Sequence, residues 1–155
     1  MPSLPDLLLR PEVRPLVVND CVAVVEREVA SKRGLSGTAI KAGFAVVTKV
    51  KPGFVREVVS NLLPDFAEAL DPLYRESASE VGDADRAKLA DAFVRRVERE
   101  RGRAAEALLG VTDRKIGAAR ASVQKAYERL RPSAREHVEA ALPGLVQELR
   151  PRLVA

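Results

Sequence analysis

Apolar residues recur at every third or fourth position through most of this chain, the spacing that gathers them on one side of a helix. Proline and glycine mark the ends, since proline suits the first turn of a helix and glycine the residue just past its end. Ser3 caps a short helix over Leu4 to Leu9, and Pro11 and Pro15 open a longer one reaching about Arg33, with Val18, Cys21 or Val22, Val25 and Val29 on one stripe. A third helix spans about Ser36 to Lys51, carrying Ile40, Phe44, Val47 and Val50, and stops at Pro52. Pro52 opens the next, with Phe54, Val55, Val58, Val59 and Leu62; Pro64 and Pro72 then divide the chain into short helical steps ending near Glu80. The VGDAD stretch offers Gly82 as a stop and Asp83 as an N-cap for a long helix from Ala84 to Leu109. Beyond GVTD, where Thr112 or Asp113 can cap, come a helix to about Arg131, another from Pro132 to Leu142, and a last from Pro143. No segment alternates with period two, so the expected fold is all-α, a compact bundle of seven to nine helices with no sheet.

An internal echo points to two related halves. Lys51 to Leu73 and Arg131 to Leu153 both read basic residue, proline, helix, Leu-Pro, short helix, and a closing proline. Pro52, Pro64 and Pro72 answer to Pro132, Pro143 and Pro151 at a nearly constant offset that one deletion reconciles. Phe44 pairs with Tyr127 in a weaker match upstream. The expectation is one domain over 1–155 with halves 1–81 and 82–155. Coincidence between two proline-capped helix pairs is the competing account.

Composition supports helices packed through aliphatic side chains. Aromatics are 4% with no Trp, fewer than a sheet protein favours, while 46% hydrophobic residues suffice for a core. The 26 Lys and Arg stand against 22 Asp and Glu, so the net charge of +4 comes from mixed signs and not from a basic block. A single cysteine, Cys21, excludes an internal disulfide and any multi-cysteine metal site, which suits the cytoplasm. The apolar start, broken by Pro5 and Asp6, lacks the basic flank of a secretory leader, and no apolar run approaches the ~20 residues of a membrane span.

Candidate chemistry is sparse. Gly34 and Gly37, with Lys32, Arg33, Ile40 and Lys41, have the local outline of the GxxG loop that KH-type RNA-binding modules set against phosphates. Such modules need a three-stranded sheet, and the flanking periodicity is helical. Each residue also has an architectural account: Lys32 and Arg33 at a helix end, Gly34 in a left-handed conformation, Leu35 packed, Ser36 or Thr38 as a cap. The arginine-rich run from Val94 to Glu106 is interrupted by Glu98, Glu100 and Glu106 at pairing distances, as on a solvated face. Lys41, Lys49, Lys51 and Arg56 form a purer basic surface for an acidic partner. Asp65, Glu68 and Asp71 form a small acidic face. His137 falls on an exposed turn, and Cys21 on a stripe of valines where a core role outweighs a nucleophilic one. No catalytic residue, metal site or cofactor is assigned.

The stretches LL-x-RPEVRPLVV, GLSGTAIKAGFAVVTKVKPGFV, LLPDFAEALDPLY and HVEAALPGL resemble a family of uncharacterised bacterial proteins of about this length, a domain of unknown function. The resemblance spans essentially the whole chain and implies a bacterial, cytosolic, all-helical protein with no activity to transfer. The expected function is a non-enzymatic interaction or scaffold protein with a protein partner or a second copy of itself. An alternative is a binder of an apolar or lipid-like ligand in a cleft where Phe44, Phe54, Phe66 and Tyr74 gather. Weak nucleic-acid binding through Lys41, Lys49, Lys51 and Arg56 is the least favoured.

Overall fold

The computed structural model describes residues 1–154, except for the side chains of Leu35, Ser36 and Val50. The packing, capping and stripe roles expected of those three lie outside the described residues. Among the described residues the chain forms seven α-helices, one 3-10 turn and no strand: α1 (Leu4–Leu8), α2 (Arg14–Ser31), α3 (Gly34–Val50), α4 (Phe54–Val81), α5 (Arg86–Arg99), α6 (Arg101–Lys115), the 3-10 turn (Ile116–Ala118) and α7 (Ala121–Val154). The all-α bundle expected from the periodicity is what forms. Ser3 caps α1 as expected, its hydroxyl accepting from the Asp6 amide at 3.2 Å while the Asp6 carboxylate accepts from the Ser3 amide at 2.9 Å.

The prolines do not divide the chain as their positions suggest. α4 runs unbroken through Pro64 and Pro72, and α7 through Pro132, Pro143 and Pro151. A proline inside a helix removes one hydrogen bond and crowds the carbonyl four residues earlier, at a cost of about 3 kcal/mol. Continuous apolar stripes offset that cost. Leu63, Ala67, Leu70 and Leu73 are buried along α4, and Leu142, Val146, Leu149 and Leu153 along α7, each large side chain contributing about 1.5–3 kcal/mol. Interrupting either helix at its prolines would break the register that puts these residues on one side. Pro72, Pro132 and Pro151 face solvent, where water can reach the displaced carbonyls. Pro64 is half-buried, and the carbonyl it leaves without an amide partner, that of Ser60, accepts instead from the Arg14 guanidinium at 3.0 Å.

One expected helix is two. The segment from Ala84 to Leu109 breaks at Glu100, whose φ of −110° and ψ of 42° leave the helical region. The Glu100 carboxylate sits between Arg96 and Arg103, at 3.3 Å from each. Gly102, a poor helix former, lies two residues on. α5 starts from Asp85 and not from Asp83: the Asp85 carboxylate accepts from the Lys88 amide at 3.1 Å, after Gly82 has ended α4 with φ +82°. Thr112 and Asp113, expected as caps, lie inside α6.

The core belongs to one end of the bundle. Val17, Leu63, Leu70, Leu73, Phe93, Val97, Ala104, Leu142, Val146 and Leu149 meet there, and α1 covers them with Leu4, Leu7 and Leu8. Tyr74 stands edge-on to Phe93, ring centres 5.5 Å apart at 76°. α7 is held to α2 and α5 by Arg152, which donates to both Asp20 oxygens at 2.8 and 3.1 Å, and by Arg150, 2.6 Å from Asp91. The two copies of the proline echo fall on α4, with Pro52 just ahead of its first residue, and on α7, which contains all three of its prolines.

α3 stands apart from this core. It is the most apolar of the six longer helices, yet none of its described side chains is buried. Ile40, Phe44 and Val47 are only half-buried, and Ala42, Ala45 and Val46 are exposed.

Candidate functional site

The GxxG stretch is the joint between α2 and α3. Gly34 holds φ +79°, the left-handed conformation expected of it, although it is the first residue of α3 and not the residue that ends α2. Gly37 is buried, and it is glycine for a different reason: a Cβ there would lie 2.8 Å from the carbonyl carbon of Lys32. Thr38 does not cap; its hydroxyl donates back to the Gly34 carbonyl at 2.9 Å. Both glycines thus have steric duties in a helix–helix turn, and no strand lies beside them among the described residues. Gly34→Val is expected to cost about 1 kcal/mol or more, because a β-branched residue resists positive φ. Urea unfolding checks this, and an unchanged midpoint would contradict the conformational account.

The four aromatic candidates do not gather. Because α4 is one rod, the 20 residues from Phe54 to Tyr74 span roughly 30 Å at about 1.5 Å per residue. Tyr74 is locked against Phe93 in the core, where burial pushes its phenol up from the usual value. Phe66 is half-buried midway along the rod, Phe44 is half-buried on α3, and Phe54 lines the groove described below. The four basic candidates are also dispersed in their engagements. Lys41 and Lys49 are exposed on α3, Lys51 pairs with Glu57 at 2.6 Å, and Arg56 donates to Asn19 at 2.6 Å.

The arginine-rich run behaves as a paired surface. Arg96 meets Glu76, Glu80 and Glu100, and Arg103 meets Glu76 and Glu100. The Arg103 hydrogen bond holds the Glu76 carboxyl below its usual value. Of the acidic face, Asp65 lies 3.4 Å from Lys115, while Asp71 accepts from the Leu4 amide at 2.9 Å and binds Arg75. Cys21 is packed beside the core, and burial, with Asp20 beside it, pushes its thiol up to about 12, which keeps it protonated and unreactive near neutrality. His137 is not on an exposed turn but within α7, half-buried near Lys32. Burial first, then the Lys32 charge, lowers its pKa, so the neutral imidazole is favoured; its buried Nε2 has no hydrogen-bond partner among the described residues.

What the structure does form is a groove at the end of the bundle opposite the core. It encloses about 570 Å³ between the C-terminal half of α3, the first two turns of α4, and the turn that joins α6 to α7. Val46, Val47, Phe54, Val58, Leu62, Ile116 and Val123 give it apolar walls, with Lys51, Lys115 and Arg120 at its edge. Val46 is 53% exposed, so the groove opens to solvent beside α3. Its floor is braced by Tyr127, whose hydroxyl lies 2.8 Å from Thr112 Oγ1 and also donates to the Asp113 carboxylate. Arg131 grips the same carboxylate with two bonds of 2.9 and 3.0 Å and holds its pKa low. These bonds tie α6 to α7 beside the groove.

Of the residues that the sequence singles out as candidates, Phe54 and Lys51 line this groove, whereas Thr112, Ile116, Arg120, Val123 and Tyr127 line it without a binding signal of their own. Among the described residues no group of three or more His, Cys, Asp or Glu could hold a metal, and no helix is long and apolar enough to cross a membrane.

A family model described as "Family of unknown function (DUF6918)" matches residues 4–152. No curated protein and no solved structure matches the chain.

Proposed function

The chain belongs to that family of unknown function, and from the geometry we propose that it binds a small apolar or amphipathic molecule in the groove between α3, α4 and the α6–α7 turn. Of the two leading readings that the sequence leaves open, a scaffold or a ligand binder, the groove favours the second. One observation carries it: the most apolar helix of the bundle has no described side chain buried, and beside it lies an unfilled apolar space. Apolar surface left beside a cavity gains roughly 25 cal/mol per Å² when a guest covers it. The volume falls in the ~300–1,000 Å³ range of small-molecule sites. Nothing in the lining requires chemistry to be done on the guest, so the reading is of a carrier or sensor and not of an enzyme. A cytoplasmic setting fits a chain with a single cysteine and so no internal disulfide.

Fluorescence of the neutral probe N-phenyl-1-naphthylamine tests this. The intact chain is expected to enhance its emission with micromolar affinity. Val58→Trp, which fills the groove from its α4 wall, is expected to weaken binding about ten-fold or more while the thermal midpoint stays within a few degrees. No enhancement with the parent protein would overturn the reading.

A further inference from the structure

The edge of the groove says more about its guest than the walls do. Three cations, Lys51, Lys115 and Arg120, line it against one carboxylate, Glu57. Glu57 is already taken by Lys51 at 2.6 Å, which leaves Lys115 and Arg120 as the charge a guest would meet. Lys115 has only a loose partner, Asp65 at 3.4 Å, with the lysine side chain 54% exposed, and such a pair holds its members weakly in water. Arg120 is exposed and immediately precedes α7. Ser122 and Val123, in the first turn of that 34-residue helix, also line the groove, so the positive end of the helix dipole borders it. Side-chain charge and backbone polarity have the same sign at this edge, while the walls beside it are apolar.

We infer that the guest is a single-chain anionic amphiphile, its tail between Phe54, Val58 and Val123 and its carboxylate or phosphate head at Lys115 and Arg120. This rests on the groove being a binding site. A head group that meets two flexible, partly exposed cations gains modestly from each, together about ten-fold in affinity over an uncharged head. A cationic head would meet repulsion at the same edge.

Displacement of N-phenyl-1-naphthylamine by four twelve-carbon compounds separates the possibilities: dodecanoate, its methyl ester, dodecyl phosphate and dodecylamine. Dodecanoate or dodecyl phosphate is expected to bind about ten-fold more tightly than the ester, with dodecylamine weakest. In Lys115→Gln/Arg120→Gln the preference of acid over ester is expected to fall to near parity. Raised salt is expected to erode it in the parent. Equal displacement by acid and ester would overturn the anionic head group while leaving the groove as a site for apolar guests. A preference that survives in the double variant would overturn the assignment to these two cations. If the naphthylamine probe itself fails to bind, it is the groove reading that falls.

Discussion

Phe93→Ala is expected to destabilise the protein by about 3–5 kcal/mol, the cost of removing a fully buried phenyl group whose site cannot collapse. Phe93 is 1% exposed on α5, and its ring receives Tyr74 from α4 edge-on at 5.5 Å. Truncation loses the ring's own burial and also its contact with Tyr74, leaving a void between two helices that are held elsewhere. For a chain of this size a loss of that magnitude lowers the thermal midpoint by roughly 6–20 °C. Phe93→Leu, which keeps most of the volume, is expected to cost less than half as much. Chemical unfolding of the three proteins measures this, and a Phe93→Ala variant within about 1 kcal/mol of the parent would show that the core is not centred on this ring.

Arg14→Ala is expected to cost about 1.5–3 kcal/mol, more than an exposed arginine should, because its guanidinium supplies a bond that Pro64 denies to Ser60. In an ordinary helix the amide at position 64 would donate to the Ser60 carbonyl. Proline has none, and α2 brings Arg14 to that carbonyl at 3.0 Å. The explanation makes a sharper claim than the single variant can test. In a Pro64→Ala background the amide returns, so Arg14→Ala should cost under about 1 kcal/mol there. Additive effects in this double-mutant cycle would refute the link between the two residues.

Periodicity made the helices legible, since Leu63, Leu70, Leu142 and Leu149 advertise their inward faces at three- and four-residue spacing. The ends were legible where a residue has a conformation of its own, as at Ser3, Gly34 and Gly82. Misread positions were those where distant partners decide. Pro64 reads as a stop, but the buried stripes on both sides of it and the Arg14 bond keep α4 continuous. Glu100 reads as mid-helix, but Arg96 and Arg103 hold it at a break. The error at Pro64 and Pro72 propagated to the candidate site, since Phe54, Phe66 and Tyr74 could converge only if α4 were folded into pieces. The groove escaped notice because Ile116, Arg120 and Tyr127 meet Phe54 and Val58 only once α6 and α7 are docked on α4. His137 reads as surface for the same reason: α7 is a single long helix that carries it inward toward Lys32.

The concentration of the core at one end has an evolutionary consequence. Val46 is exposed and Ile116 and Val123 are only half-buried, so folding constrains them less than it does the fully buried core, and the guest sets most of the limit on what can replace them. Diversification should therefore run along the walls of the groove and follow the shape of the guest, while the opposite pole stays fixed as an anchor that lets it happen.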